Sequence, residues 1–147
     1  MTPLVLSGEV SRPPDEVFSY ITDPTRFAEW QQDVVSTRME QGATDKAGSR
    51  YTTVRRLGRR ENSLTAEITA VDVPRTWSSR GIDGPVRSIV DVSVEPLGER
   101  RSRFTISLDF EGHGIGKVLV PLVVRRQARD ETPGNRRLLL ERLDNGG

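Results

Sequence analysis

The chain has 147 residues, 22 basic and 21 acidic side chains, one histidine and no cysteine. That length supports one domain, residues 1–147, and zero cysteine with a single imidazole excludes disulfide scaffolds, thiol nucleophiles, thiolate metal sites and zincin-type ligation. A formal charge of +1 makes no electrostatic case for nucleic acid or an anionic membrane as partner.

Residues 4–11 read as a strand, with Leu4, Leu6, Gly8 and Val10 on one face. Pro13-Pro14 ends it and suits a first helical turn, where Asp15 and Glu16 meet the positive end of the helix dipole. Val17, Phe18 and Ile21 share one face, which predicts a short helix over about 14–21. Asp23 is a good N-cap and Pro24 a good first residue for a second helix, anchored by Phe27 and Trp30. From Asp33 the period falls to 2. Segments near 33–40, 49–57, 62–73, 75–82, 86–95 and 101–112 read as strands, separated by Gly- and Pro-containing turns. The alternation is cleanest in 86–94 and 102–110, as in an antiparallel sheet with one covered and one wet face.

After Gly112-His113-Gly114-Ile115-Gly116 the pattern is helical to the end, with Asp144 to Gly147 reading as a frayed tail. Val118, Leu119, Leu122 and Val123 form one apolar arc, and Leu138, Leu139, Leu140 and Leu143 form another. The stretch between them, Arg125 to Arg137, lacks large apolar side chains, and Pro133-Gly134 is expected to kink or interrupt it. Apolar residues are 34 % of the chain, and 13 glycines lift the total only to the low edge of globular chains, roughly 45 %. The core is economical, or the interior is partly hollow. The arginine-heavy basic set, with Lys46 and Lys117 the only lysines, fits a GC-rich bacterial coding bias. Met1 to Glu9 has no basic leader region and no stretch approaches the ~20 apolar residues of a membrane span, so the expectation is a cytoplasmic protein.

A strand, two short helices, about six strands and one long helix together read as α+β, with helices on one face of an antiparallel sheet. That order and the local sequence resemble the SRPBCC (START-like) superfamily, in its polyketide cyclase/dehydrase and lipid transport branch. The matching residues are Val10-Ser11-Arg12-Pro13-Pro14-Asp15-Glu16-Val17-Phe18, Thr22-Asp23-Pro24 with Phe27 and Trp30, Gly48-Ser49-Arg50-Tyr51, the Glu67 to Trp77 strand pair around Pro74-Arg75, and the closing helix. The resemblance implies a helix-grip fold: a bent, seven-stranded antiparallel sheet gripping the C-terminal helix around a cavity. It further implies a hydrophobic or amphipathic ligand, or cyclase or dehydratase chemistry on one, and no cofactor.

Candidate ligand-binding residues follow from that architecture. They are the strand aromatics Tyr51, Trp77 and Phe104, then Leu122, Arg125 and Arg129 on the closing helix, and His113 at the mouth. Arg125, Arg129, Thr132 and Arg136 continue the stripe Val118, Leu122 toward Leu139 and Leu143. If the helix stays regular, guanidinium groups face the interior and need a carboxylate from the sheet or a ligand; if Pro133 rotates the register, they are solvated. His113 is either a general acid or base or a solvated loop residue. Trp30 reads as core. Gly112, Gly114 and Gly116 do not match a nucleotide-binding fingerprint and are better explained as a tight reversal. No serine elbow, carboxylate pair or other catalytic set emerges.

Three functions remain open. The first is a binding or carrier protein for a lipid- or polyketide-like molecule. The second is a polyketide cyclase, aromatase or dehydratase using groups such as Tyr51, Arg129 or His113. The third is an interaction module with a collapsed cavity. Monomer and homodimer are both compatible with the sequence.

Overall fold

The computed structural model describes residues 3–144; of the tail expected to fray, Asp144 is the last helical residue and 145–147 lie outside the described residues. In chain order the elements are β1 (Leu4–Val10), α1 (Pro14–Ile21), a 3-10 turn (Pro24–Glu29), β2 (Val34–Gln41), β3 (Arg50–Leu57), β4 (Arg60–Asp72), β5 (Thr76–Asp83), β6 (Val86–Gly98) and β7 (Arg101–Gly112). The C-terminal helix follows as α2 (Gly116–Leu119), a π-helical turn (Val120–Val124) and α3 (Arg125–Asp144). The strands make one antiparallel sheet in the order β1-β7-β6-β5-β4-β3-β2.

Period-2 patterning decides which face is covered. Val86, Val90, Val92 and Val94 of β6 and Phe104, Ile106 and Phe110 of β7 are buried, while Asp91, Ser93 and Arg103 between them are exposed. Irregular pairing at Val34/Ser36, Met39/Gln41, Thr65/Ala66, Ile68/Ala70 and Pro96/Gly98 adds local twist and lets the sheet curl. The short elements between β1 and β2 close one end. Pro14 starts α1 without needing an N–H partner, and Val17, Phe18, Tyr20 and Ile21 are buried. Asp23 caps the next turn as the sequence predicts, its Oδ1 accepting from Thr25 N (3.0 Å). That turn is 3-10 rather than α, and it delivers Phe27 into the core.

Two features of the C-terminal helix depart from the sequence reading. It remains helical through Pro133, whose ring is exposed. This stretch is tied to the rest of the molecule by Gln32, whose Nε2 donates to Glu131 O (3.1 Å) and whose backbone N donates to Asn135 Oδ1 (3.0 Å). The inward stripe also differs. Gly116, Val120 and Val124 are buried, whereas Val118, Leu119, Leu122 and Val123 are exposed. The segment is apolar on all sides, so periodicity alone leaves its phase open. Gly116 fixes it, because it lies against the Pro85 carbonyl and the Gly112 backbone, where a Cβ has no room.

The core is divided in two. The larger cluster, at the end closed by α1 and the 3-10 turn, includes Phe27, Trp30, Tyr51, Trp77, Phe104 and Leu139. The smaller lies under the start of the C-terminal helix and comprises Leu57, Leu64, Val86, Phe110, Val120 and Val124. Gly116→Ala forces a Cβ onto the Pro85 backbone and is expected to cost about 2 kcal/mol. Urea unfolding measures this, and an unchanged midpoint contradicts Gly116 as the phase-setting contact.

Candidate functional site

The interior between sheet and helix is nearly filled. A partly open void within it measures about 40 Å³, room for about three waters. Apolar side chains of β1, β6 and β7, together with Phe27 and Trp30, make most of its wall, and Gln31, Thr132 and Asn135 add polar groups. The Trp30 indole N–H is buried without a hydrogen-bond partner. Trp30, read as core from sequence, is buried in the larger cluster and also lines the void. Phe27 organises this wall, meeting Trp30, Tyr51 and Trp77 edge-on with ring centroids 6.1, 6.0 and 6.5 Å away.

A polar stretch separates the two apolar clusters. On β3 the inward residues run Tyr51, Thr53, Arg55, Leu57, so two polar side chains stand between an aromatic and a leucine that belong to different clusters. Tyr51 OH and Ser79 Oγ share a hydrogen bond of 2.7 Å, and burial pushes the phenol pKa up. Thr53 Oγ1 is buried with no partner. Arg55 Nη1 donates to both oxygens of Asp33 (3.1 and 2.9 Å), and the pair is almost fully buried. Asp33 is held from behind, its carbonyl accepting from Arg56 N (2.7 Å). Glu131 approaches from α3: burial, and then the Asp33 charge, raise its pKa, while Gln127 and Arg55 oppose the shift. The interior therefore offers a fixed cation, a hydroxyl and a phenol, and at its margin a half-buried carboxyl group that holds its proton more readily than usual.

The predicted ligand-binding residues divide between inside and outside. Tyr51, Trp77 and Phe104 are buried on the inner face, but they pack the core rather than line the void. Arg125 is half-buried and bridges Asp109 (2.7 Å) and the Phe110 carbonyl (3.1 Å), so its partner is a sheet carboxylate. Arg129 and Arg136 are exposed, and Arg136 Nε donates to the Ser7 carbonyl (2.7 Å). Of the two alternatives for the arginine stripe, the solvated one holds for Arg129 and Arg136, although the helix stays continuous through Pro133, and the inner line runs through Ala128, Glu131, Thr132 and Asn135. Leu122 is outside, a consequence of the phase set by Gly116. His113 lies on the surface, with Nε2 3.1 Å from Glu111 Oε1. Arg55, Asp33 and Thr53 were missed, because a strand reading Arg-Tyr-Thr-Thr-Val-Arg-Arg-Leu places charge on both faces.

The start of the C-terminal helix is flanked by grooves. One, of about 390 Å³, lies between it and the β3–β4 and β5–β6 hairpins, where Leu57, Pro85, Val86, Ile115, Leu119, Val123 and Val124 make an apolar lining with Arg60 and Asn62 at its polar edge. Another, of about 400 Å³, opens toward β1 and β7 beside Pro121, Arg125 and Arg129. Polar latches hold the helix between them. Gln127 accepts from Gly58 N (2.7 Å) and donates to Arg56 O (2.7 Å) on one side, and Arg125 binds Asp109 on the other. Among the described residues no group of three His, Asp or Glu side chains could hold a metal ion, and no helix is long and apolar enough to cross a membrane.

Residues 1–142 match the family described as polyketide cyclase / dehydrase and lipid transport. The chain belongs to that family. Similar solved structures include the Zhui aromatase/cyclase from Streptomyces sp. R1128 (13% identity, TM-score 0.72, covering 99% of this chain and 97% of that one). A START superfamily protein from Mycobacterium smegmatis is likewise similar (13% identity, TM-score 0.69, 97% and 99%). So is the di-domain ARO/CYC BexL from the BE-7585A biosynthetic pathway (15% identity, TM-score 0.68), of which this chain covers 97% of its own length but 46% of the other. No curated protein matches the sequence. The curled seven-stranded sheet around a long C-terminal helix is therefore the START-like fold of the polyketide cyclase / dehydrase and lipid transport family.

Arg55→Met leaves the Asp33 carboxylate buried and unpaired, and is expected to cost about 3–5 kcal/mol. Arg55→Met with Asp33→Leu removes both charges and should recover most of that loss in urea unfolding; no recovery contradicts the pairing. Glu131 tests the polar interior by pH. Its folded pKa lies above the ordinary 4.5, so unfolding favours ionisation and the group's stabilising effect is complete below 4.5 and lost as pH rises through the folded value. Glu131→Gln should raise the melting temperature at pH 7 relative to wild type, with the gap closing as pH falls toward 4.5; a pH-independent gap contradicts it.

Proposed function

We propose that the protein binds a hydrophobic or amphipathic small molecule between the start of the C-terminal helix and the inner face of the sheet, and carries it. The observation that carries this reading is the apolar groove beside the helix, whose floor of Leu57, Val86 and Val124 is the outer wall of the smaller core cluster. A ligand's apolar part seats in the groove, and a long one reaches the interior by parting the helix from the hairpins. The 40 Å³ void by itself accepts nothing larger than a few waters, so binding of a lipid-sized molecule is coupled to this separation. Thr53 Oγ1 and the Arg55–Asp33 pair, behind that floor, suit an oxygen-bearing head group, because a buried hydroxyl without a partner gains a full hydrogen bond on meeting an acceptor.

The alternative is cyclase, aromatase or dehydratase chemistry on such a ligand. It is favoured by one observation, the alignment of Tyr51, Thr53 and Arg55 on a single strand face, where a phenol, a hydroxyl and a guanidinium could hold a developing enolate. Both readings need ligand access through the same groove.

Titration with 1-anilinonaphthalene-8-sulfonate and with lauric acid, read by fluorescence and native mass spectrometry, tests the proposal. The expected result is a one-to-one complex whose affinity falls at least about tenfold in Leu119→Trp, where a half-exposed leucine of the lining is replaced by a side chain that fills the groove. No complex, or equal affinity in the variant, overturns the carrier reading and leaves the interaction module as the better account.

A further inference from the structure

The C-terminal helix begins with an apolar face that covers nothing. Ile115, Val118, Leu119, Leu122 and Val123 recur at spacings of three, one, three and one and form a continuous stripe. They are 68%, 56%, 36%, 66% and 37% exposed, while Val120 and Val124 on the opposite side serve the core. A helix that needed only to cover the sheet would carry polar residues on its outer side.

Charge along the helix segment that carries this stripe is one-sided up to Asp130. No acidic residue occurs between Glu111 and Asp130, an interval that holds Lys117, Arg125, Arg126 and Arg129. Arg126 shares a surface depression with Leu122 and Val123 that Asp130 and Glu131 also line, and Arg60 shares the apolar groove, which holds no acidic residue, with Ile115, Leu119 and Val123. Arg59 stands beside Arg60 on a tip whose Gly58 lies next to the Val123 side chain. Of the nearby acids, Asp109 pairs with Arg125, Glu111 with His113 and Glu61 with Arg56, Glu131 accepts from Gln127, and Asp130 is exposed one helical turn beyond Arg126. Among the described residues no ion pair involves Arg59, Arg60, Lys117 or Arg126. The chain's near-neutral total therefore conceals a cationic, apolar end.

We propose that this end docks on a bilayer bearing anionic headgroups, with Val118 and Leu122 inserted at the interface and Lys117, Arg60 and Arg126 at headgroup level. An apolar stripe rimmed by unpaired cations is the pattern that lies in the plane of such a surface, where each basic side chain adds to binding and the apolar face enters the acyl boundary. A second copy of this chain fits less well, since it would bring the same cations against each other. Docking in this orientation sets the apolar groove against the membrane, so a lipid-like ligand exchanges with the bilayer without crossing water. The surface rests on the geometry of this end; that use of it rests on the carrier reading.

Flotation of the full chain with vesicles tests this. Binding is expected to vesicles of phosphatidylcholine with about 30 % phosphatidylserine, to be weak on phosphatidylcholine alone, and to weaken as salt is raised. Val118→Asp with Leu122→Asp should reduce the bound fraction at least about tenfold, with an unchanged circular dichroism spectrum and melting temperature because both positions are exposed. Arg60→Glu with Arg126→Glu should reduce binding to the anionic vesicles selectively. Absence of wild-type binding, or equal binding by the aspartate variant, overturns the proposal. So does a wild-type dimer that the aspartate variant turns into a monomer while neither floats. Neither Val118 nor Leu122 lines the apolar groove, so binding of lauric acid in solution should persist in that variant. Vesicle binding without lauric acid binding defeats the carrier reading alone, and the reverse result defeats membrane docking alone.

Discussion

A single helix has to cover the concave face of seven strands, and most of the molecule's other features follow from how it does so. Its apolar content is too low to make that face oily from end to end. The solution is two apolar contacts, one at each end of the sheet, with Thr53, Arg55, Asp33 and Glu131 between them. Charges so placed are costly unless paired, and Arg55 with Asp33 forms the pair. The helix is also attached at its margins by directional bonds, through Gln127 and Arg125 near its start and through Asn135 and Gln32 further along. These bonds can break singly. The start of the helix is then joined to the rest by a small apolar cluster and a few polar contacts, while its end is buried in the larger core.

The sheet was legible because alternation is a local signal. Val90, Val92 and Val94, or Phe104 and Ile106, face inward for reasons visible within a few residues. The same holds for the Asp23-Pro24 turn, where cap and first residue announce themselves. The helix phase was not legible over 116–124, where apolar side chains lie on every side and the decisive contact, Gly116 against Pro85, joins two distant parts of the chain. A π-helical turn at Val120–Val124 compounds this, since it changes the spacing on which any helical projection depends. That one shift moved Leu122 and Arg129 from inside to outside.

The candidate site was less legible than the fold. Tyr51 and Trp77 could be placed on the inner face, but their packing against Phe27 depends on where a 3-10 turn sets that ring. Arg55 gave no signal, being one of three arginines on the same strand, and its partner Asp33 lies in a connecting segment. His113, conspicuous as the lone imidazole, proved to be a surface partner of Glu111. The low apolar fraction leaves an economical core and a partly hollow interior as alternatives; the interior is mainly apolar, and a few polar side chains that bind one another fill the space between its two clusters. Net charge misled, because a sum over the chain carries no information about where each sign resides.

The latch at Gln127 has a consequence for how such a protein can diversify. Both of its bonds to the β3–β4 tip are made to main-chain atoms, the Gly58 N–H and the Arg56 carbonyl. Leu57 packs against the helix through the smaller cluster, but among the described residues the Arg59 and Arg60 side chains make no hydrogen bond or ion pair to it. Arg59 and Arg60 can therefore be exchanged without loosening the fold, and the electrostatic character of the mouth can change through substitutions that stability does not oppose.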